Sequence, residues 1–381
     1  MSDKPVVVIG SGLAGLSAAL TIQSAGYEVE VFESSSKIGG RVASDYIDGF
    51  TLDHGFQLIN AKYPEFLRLG IIDEIEFVKA PRAIDFSIGN DRFTIGDPRV
   101  SPFSSLSAQS GNVLEKLRFV KYLASSSHAG NSVADELSKS GKLYSRILEP
   151  FLEGVFLSPL NSIDAVTGKE LIRSFISGAP GLPASGVGSL SQQLGARVKK
   201  INLNHRVDSL SQFAGREVIV ATDVTTAAQL LDIAEVPKLA SSTTWYHEVP
   251  NDFSQSNRLL IDAERRGPVI NSIVLSNMVK SYAPPQRSLL STTTIESASE
   301  SEVRRHLSMM WGVQTQSWPL IAKYEIPKSL PIFGIRHHTV TSARVSDNVF
   351  IAGDFRTAPS QNGALLSGRL AAQELLLNKG A

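Results

Sequence analysis

The run Pro5-Val-Val-Val-Ile9, followed at once by Gly10-Ser-Gly12-Leu-Ala-Gly15, leaves this chain few folds to choose from. Four successive β-branched residues without a polar interruption suit a strand buried on both faces of a parallel sheet. Ala14 to Ala25 then reads as a helix stopped at Gly26, and Tyr27 to Phe32 as a second strand ending at Glu33. In such a βαβ frame Gly10 allows the tight turn, Gly12 lets the backbone approach a pyrophosphate, and Gly15 permits close packing of helix on strand. The helix start at Leu13 and Ala14 offers unpaired N–H groups and a partial positive charge to the phosphates. Glu33 stands 18 residues beyond Gly15, where a carboxylate can accept hydrogen bonds from an adenosine ribose and repel a 2′-phosphate. The plainer alternative is a solvated strand end beside a loop that binds nothing.

Composition narrows the field. At 381 residues, 42% hydrophobic and 19% charged, the chain is an ordinary globular one of two or three units. Thirty-seven basic residues balance thirty-seven acidic ones, so a nucleic-acid partner is not expected. Cysteine is absent, which removes disulfides, thiolate metal sites and cysteine nucleophiles. No His-Glu-x-x-His motif occurs, His337 and His338 are adjacent and so point to opposite faces of a strand, and no serine sits in a hydrolase elbow. A metal is therefore not expected. Lys4 and the apolar stretch from Val6 to Leu20 have the outline of a secretory leader, but Gly10, Gly12 and Gly15 interrupt it as a strand–turn–helix would. With no window of eighteen apolar residues, the expected location is cytoplasmic, with peripheral membrane contact left open.

Lys37-Ile-Gly39-Gly40-Arg41 comes directly after the second strand. Two glycines let the chain pass close to a pyrophosphate or ring edge, and Arg41 brings fixed charge. Here the chain resembles the flavin-dependent amine oxidase superfamily, which includes amine oxidases, protoporphyrinogen oxidase and the phytoene desaturases. The resemblance implies FAD as cofactor. Asp45 to Leu52 reads as a hairpin around Asp48-Gly49 that delivers Asp53-His54-Gly55 into a loop, similar to a segment bordering the flavin in desaturase relatives. His54 is a weak candidate for catalysis, more naturally a hydrogen-bonding group beside the cofactor. Arg206 to Leu210 and Glu217 to Asp223 read as two strands, and the resemblance assigns backbone contacts with adenine to Val207. Asn348 to Ala352 reads as a strand ending in Gly353-Asp354, after which Pro359 to Gly363 opens a helix from Ala364 to Asn378. This is similar to the family's closing motif. Gly353, Asp354, Asn362, Gly363 and Ala364 would then meet the flavin.

The fold class expected is α/β, a discontinuous Rossmann-type FAD-binding domain from residues 1–60, 185–235 and 337–381, with a second α+β substrate domain from 61–184 and 236–336. Val113 to Ser125, Leu143 to Leu157 and Glu300 to Trp311 have helical spacing, while Ser288 to Thr294 and Ile270 to Leu275 look like strands. Ser104–Gly111 and Ser125–Ser132 read as mobile loops. Trp245, Tyr246, Trp318, Tyr324 and Phe333 are candidate pocket aromatics, with Trp318 and Tyr324 as weak catalytic candidates. Amine oxidases place a caging aromatic just before the last helix, whereas this chain has Pro359-Ser-Gln-Asn362. The closing segment resembles the desaturases more closely, which implies a small, apolar, isoprenoid-like substrate giving a hydride equivalent to flavin N5, with reoxidation by oxygen or a quinone-like acceptor. The alternatives are an FAD-dependent amine oxidase and a flavin-bound redox-sensing or binding module.

Overall fold

A computed structural model describes residues 4–97, 108–335 and 342–379. His337, His338 and residues 104–107 of the Ser104–Gly111 loop lie outside the described residues.

The first sheet has six strands in the order Ile201–Asn202, Val29–Phe32, Val6–Ile9, Val218–Val220, Val349–Ile351 and Arg344–Ser346. All pairings are parallel except the last, which is antiparallel. Val6, Val7, Val8 and Ile9 are buried, as the uninterrupted apolar run requires of a strand covered on both faces. Helix α1 (Leu13–Ser24) covers one face. Six further helices are labelled in chain order: α2 (Val113–Ala124), α3 (Glu149–Phe156), α4 (Ala165–Ser177), α5 (Gly188–Ala196), α6 (Glu300–Trp311) and α7 (Gln361–Lys379).

Helices α1 and α7 lie back to back. A Cβ added at Gly368 would overlap the Ala14 carbonyl, and the Ser17 hydroxyl donates to Leu365 O at 2.7 Å. The two ends of the chain therefore complete one layer. The second sheet is larger, with seven strands in the order Leu320–Pro331, Leu239–Val249, Ser288–Thr294, Val269–Val274, Leu260–Asp262, Ala83–Ile88 and Asp91–Gly96. Its pairings are antiparallel apart from Leu260–Asp262 beside Ala83–Ile88. Helix α6 packs on one face, burying Val303, Leu307, Met310 and Trp311 with Trp245 and Leu290. Helices α3 and α4 bury a separate cluster that includes Leu152, Phe156 and Ile172.

The expected hairpin forms, with Ser44–Ile47 paired to Phe50–Asp53. Asp48 and Gly49 both take positive φ, 49° and 81°, the handedness that suits a two-residue hairpin. One expected strand does not form. Residues 206–210 run as irregular chain into a 3-10 turn at Leu210–Phe213, and Ile201–Asn202 occupies the sheet edge instead. The cause is local: the Ser209 hydroxyl accepts from Ser211 N at 3.2 Å and bends the backbone, while Arg206 and Asp208 pair with each other in solvent. Val207 and Leu210 in a short run before the turn at Gly215 imitated a strand.

Candidate functional site

A cavity of about 570 Å³ runs from the carboxyl ends of the first sheet's strands to the face of the second sheet. Its first stretch is made of backbone. Gly10 takes φ 101°, and a Cβ there would sit 2.7 Å from Ala221 O, so the turn between strand and α1 admits no other residue without strain. Gly15 has no cavity surface. Its missing Cβ would overlap the Gly10 carbonyl, so it serves packing alone. Gly12 differs from both. Its φ is an ordinary −71°, and a Cβ there would meet only Gly39 O at 4.0 Å. The protein's own packing does not require a bare residue at this point. Gly39 N–H donates to Ser11 O at 3.0 Å, which lays Gly40 and Arg41 along the same wall.

Glu33 closes this end. Its Oε2 accepts from Ser11 N–H and hydroxyl, each at 2.8 Å, and its Oε1 accepts from Ser35 N–H at 2.9 Å. Burial alone would raise the carboxyl's pKa, but the hydrogen bonds from Ser35 and Ser11 hold it below its ordinary value. Val207 lines the wall beside it, together with His205 and Arg206.

Arg41 lies further along. Its guanidinium pairs with Asp354 at 2.8 Å and donates to Ser329 O at 2.7 Å. Burial opposes the charge, yet the adjacent Asp354 carboxylate raises the arginine above its ordinary value. Gly353, Asp354, Leu13 and Ala14 all line the cavity, as does Ala364. Asn362 and Gly363 do not, because α7 starts three residues earlier than its composition suggested. That places both in the first turn. The Asn362 carboxamide accepts from Glu65 N, and Gly363 N–H is taken by the Ser360 hydroxyl.

Sequence reasoning gave no role to a pair of glutamines here. Gln57 donates to Arg41 O at 3.0 Å and His54 O at 3.1 Å, and Gln361 donates to Gln57 Oε1 at 2.9 Å. Gln361 lines the cavity and its Oε1 is buried without a partner. An orphan acceptor beside a glycine-bared wall fits a ring with an N–H at its edge, as a flavin has. His54 also lines the cavity, but its Nε2 is held by Asp45 at 2.8 Å and its ring rests 4.9 Å from that of Tyr324. Asp53 turns away, accepting from Ser44 Oγ, Val187 N and Tyr282 Oη, and burial raises its carboxyl.

The expected pocket aromatics are elsewhere. Trp318 is 4% exposed and packs on Phe253 with ring centroids 4.8 Å apart, on the α6 side of the second sheet. Trp245 faces the same way, since residues 242, 244 and 246 take the other face of its strand. Tyr246 donates to Asp53 O and Tyr324 to Asp45 Oδ2. None of these, nor Phe333, lines the cavity. Trp318 and Tyr324 are therefore withdrawn as catalytic candidates. The wall beyond the glycines is instead Phe151, Val155 and Phe156 on α3, Leu171 and Phe175 on α4, and Leu259, Ile261 and Ile270 of the second sheet. Phe151 and Phe175 meet edge to face at 5.3 Å. The stretch Leu143 to Leu157 shows only helical spacing, which a core would also produce, and residues 165–177 are assigned no element from sequence, so no sequence signal marks these side chains. Among the described residues no cluster of His, Asp or Glu could hold a metal.

A family model described as flavin containing amine oxidoreductase matches residues 13–376. Among characterised relatives, hydroxysqualene dehydroxylase of Zymomonas mobilis is 28% identical over 235 residues, 55% of this chain and 56% of that protein. Putrescine oxidase of Kocuria rosea is 42% identical over 73 residues, 19% of this chain and 15% of that protein. In both, the matched part spans little more than half of the relative's length or less. An oxidoreductase of known structure from Methanosarcina mazei aligns with 98% of this chain and 100% of its own at a TM-score of 0.77 and 15% identity, a likeness of fold.

Proposed function

The chain belongs to the flavin-containing amine oxidoreductases, and on that premise we propose that it is an FAD-dependent oxidoreductase acting on an apolar, isoprenoid-like substrate held between α3, α4 and the second sheet. One observation carries the substrate class. Among the described residues the acids on the cavity wall are Glu33, Asp223 and Asp354, and each is engaged: Glu33 by the Ser11 loop, Asp354 by Arg41, and Asp223 by Thr225, Thr226 and Lys328. The wall offers a protonated amine no free carboxylate, and burying an unpaired ammonium there would be costly. Of the five phenylalanines on the same wall, at residues 32, 56, 151, 156 and 175, three stand on α3 and α4 and offer an apolar chain their rings. The similarity to hydroxysqualene dehydroxylase over 235 residues supports this direction.

FAD supplies the two-electron acceptor when bound. The protein's own groups do the rest. Glu33 suits the ribose hydroxyls, Gly12 and the start of α1 the pyrophosphate, and Gln361 Oε1 a ring N–H. Arg41, fixed by Asp354 and Ser329 O, sets a positive charge that stabilises negative charge developing nearby. Asp45 and Tyr324 orient His54 as a hydrogen-bonding group. The apolar wall excludes water from the reacting C–H. A division into a cofactor-binding unit of residues 1–60, 185–235 and 337–381 and a substrate unit of 61–184 and 236–336 suits the two sheets and the cavity between them. A redox-sensing module without turnover would need no apolar arm beyond its cofactor.

Anaerobic mixing tests the reading. Polyenes or other isoprenoids delivered in detergent should bleach the flavin's blue absorption, and amines should leave it unchanged. Rapid bleaching by monoamines or polyamines with none by isoprenoids overturns the proposal.

A further inference from the structure

We propose that the outward face of α2 docks on the headgroup layer of an anionic lipid bilayer. The helix is apolar on two sides. Its inner side is fixed to the body of the protein: the Tyr122 ring lies under the Lys169 ammonium at 4.1 Å, and Phe119 and Leu123 pack against the cluster of α3 and α4. Its outer side carries Val113, Leu114, Leu117 and Val120, which are 67%, 56%, 59% and 60% exposed. Residues 113, 117 and 120 follow the spacing of one helical stripe, with 114 beside them. Single exposed apolar residues are ordinary on a protein surface, but four in one stripe mark an interaction face.

Charge selects the occupant. Lys116 borders the stripe on one edge and Arg118 on the other, and Lys121 stands at its C-terminal end. The one acid of the helix, Glu115, turns inward, where its carboxylate accepts N–H bonds from Asn112 and Lys142. The helix therefore shows solvent an apolar stripe with a basic rim and no acid. A second copy of the same face would set like charges against each other. Lipid phosphates meet the rim with opposite charge while the stripe enters the acyl boundary.

The position has a use. Arg173 of α4 donates to Leu123 O at 2.9 Å and to Ser125 O at 2.8 Å, tying the end of α2 to the helix that carries Leu171 and Phe175 into the cavity wall. The docking face thus rests on the wall of the apolar arm. Among the described residues no helix is long and apolar enough to cross a membrane, so contact would be from one side.

Flotation of the flavin-loaded protein with vesicles tests this. Vesicles of phosphatidylcholine with phosphatidylglycerol should carry it upward, and pure phosphatidylcholine or high salt should lower the partition coefficient about a hundredfold, as expected when three rim cations each lose roughly 1 kcal/mol. The double variant Leu117→Glu/Val120→Glu should stop flotation with flavin content and circular dichroism unchanged. Reversal of the rim, Lys116→Glu/Arg118→Glu/Lys121→Glu, should remove the preference for phosphatidylglycerol. Wild-type protein that does not float, a Leu117→Glu/Val120→Glu variant that floats equally well, or a dimer that this variant splits without any vesicle binding would each overturn the proposal. Bleaching in detergent uses no vesicles, so failure here leaves the substrate reading intact.

Discussion

The two stretches of the cavity are built from different material. Around the Gly10 turn the wall is largely main chain, and at Gly10 backbone occupies the space a Cβ would need. Between α3 and α4 the wall is side chain, and Phe151, Phe175 and Leu171 fill it by volume alone. A main-chain wall permits few sequences and a side-chain wall permits many. That asymmetry teaches why one part recognises a fixed cofactor while the other can change its ligand by repacking.

Substitutions can break or sharpen this contrast. The largest effect is expected from Phe175→Asp, which sets an unpaired charge in the apolar arm at roughly 4 kcal/mol. Turnover should fall about a thousandfold with flavin content unchanged, measured by kcat/KM and visible absorption. If flavin is lost as well, the two walls are not independent.

Gly12→Val comes next. Its side chain would enter the void at a position where the protein leaves room, so FAD affinity should drop about a hundredfold, near 3 kcal/mol of overlap. Thermal stability of the cofactor-free protein should not change. Gly15→Val should show the opposite pattern, with the fold itself damaged by collision with the Gly10 carbonyl. A Gly12→Val protein that destabilises like Gly15→Val would show that protein packing, not ligand, requires the bare residue.

Acid should also separate the regions. His247 in the second sheet is fully buried without a hydrogen-bond partner, and burial pushes it from 6.5 down to about 4. The unfolded chain takes the proton first, so stability is full above pH 6.5 and is lost as pH falls towards 4, by up to about 3 kcal/mol. Glu33 is shifted the other way for its type, below 4.5, so its contribution persists until pH falls beneath that value. Between pH 6.5 and 4.5 the second sheet should loosen while the Glu33 end holds. Hydrogen exchange read segment by segment checks this, and His247→Phe should flatten the slope. The smallest effect is expected from Gln361→Ala, which removes one acceptor and should weaken FAD about fivefold, near 1 kcal/mol; unchanged affinity would mean the orphan oxygen faces no ring N–H.

The same asymmetry explains what could be read from sequence. The βαβ frame, the Asp48-Gly49 hairpin and helix α6 were legible because turn handedness and apolar period leave marks at fixed spacing. The start of α7 was misplaced because Ser360, rather than a residue nearer Ala364, supplies the hydroxyl that caps its first turn. Trp318 and Tyr324 were misread because an aromatic residue names no face: strand parity and partners such as Phe253 and Asp45 decide where a ring points. Gln57 and Gln361 are 304 residues apart, and nothing local announces that their carboxamides meet.

The back-to-back packing of α1 on α7 has a consequence for biogenesis. The glycine turn at Gly10 is synthesised long before the strand Val349–Ile351 and helix α7, which packs against α1. A nascent chain that stops short of α7 therefore leaves α1 uncovered and the cavity beside the Gly10 turn without one of its walls.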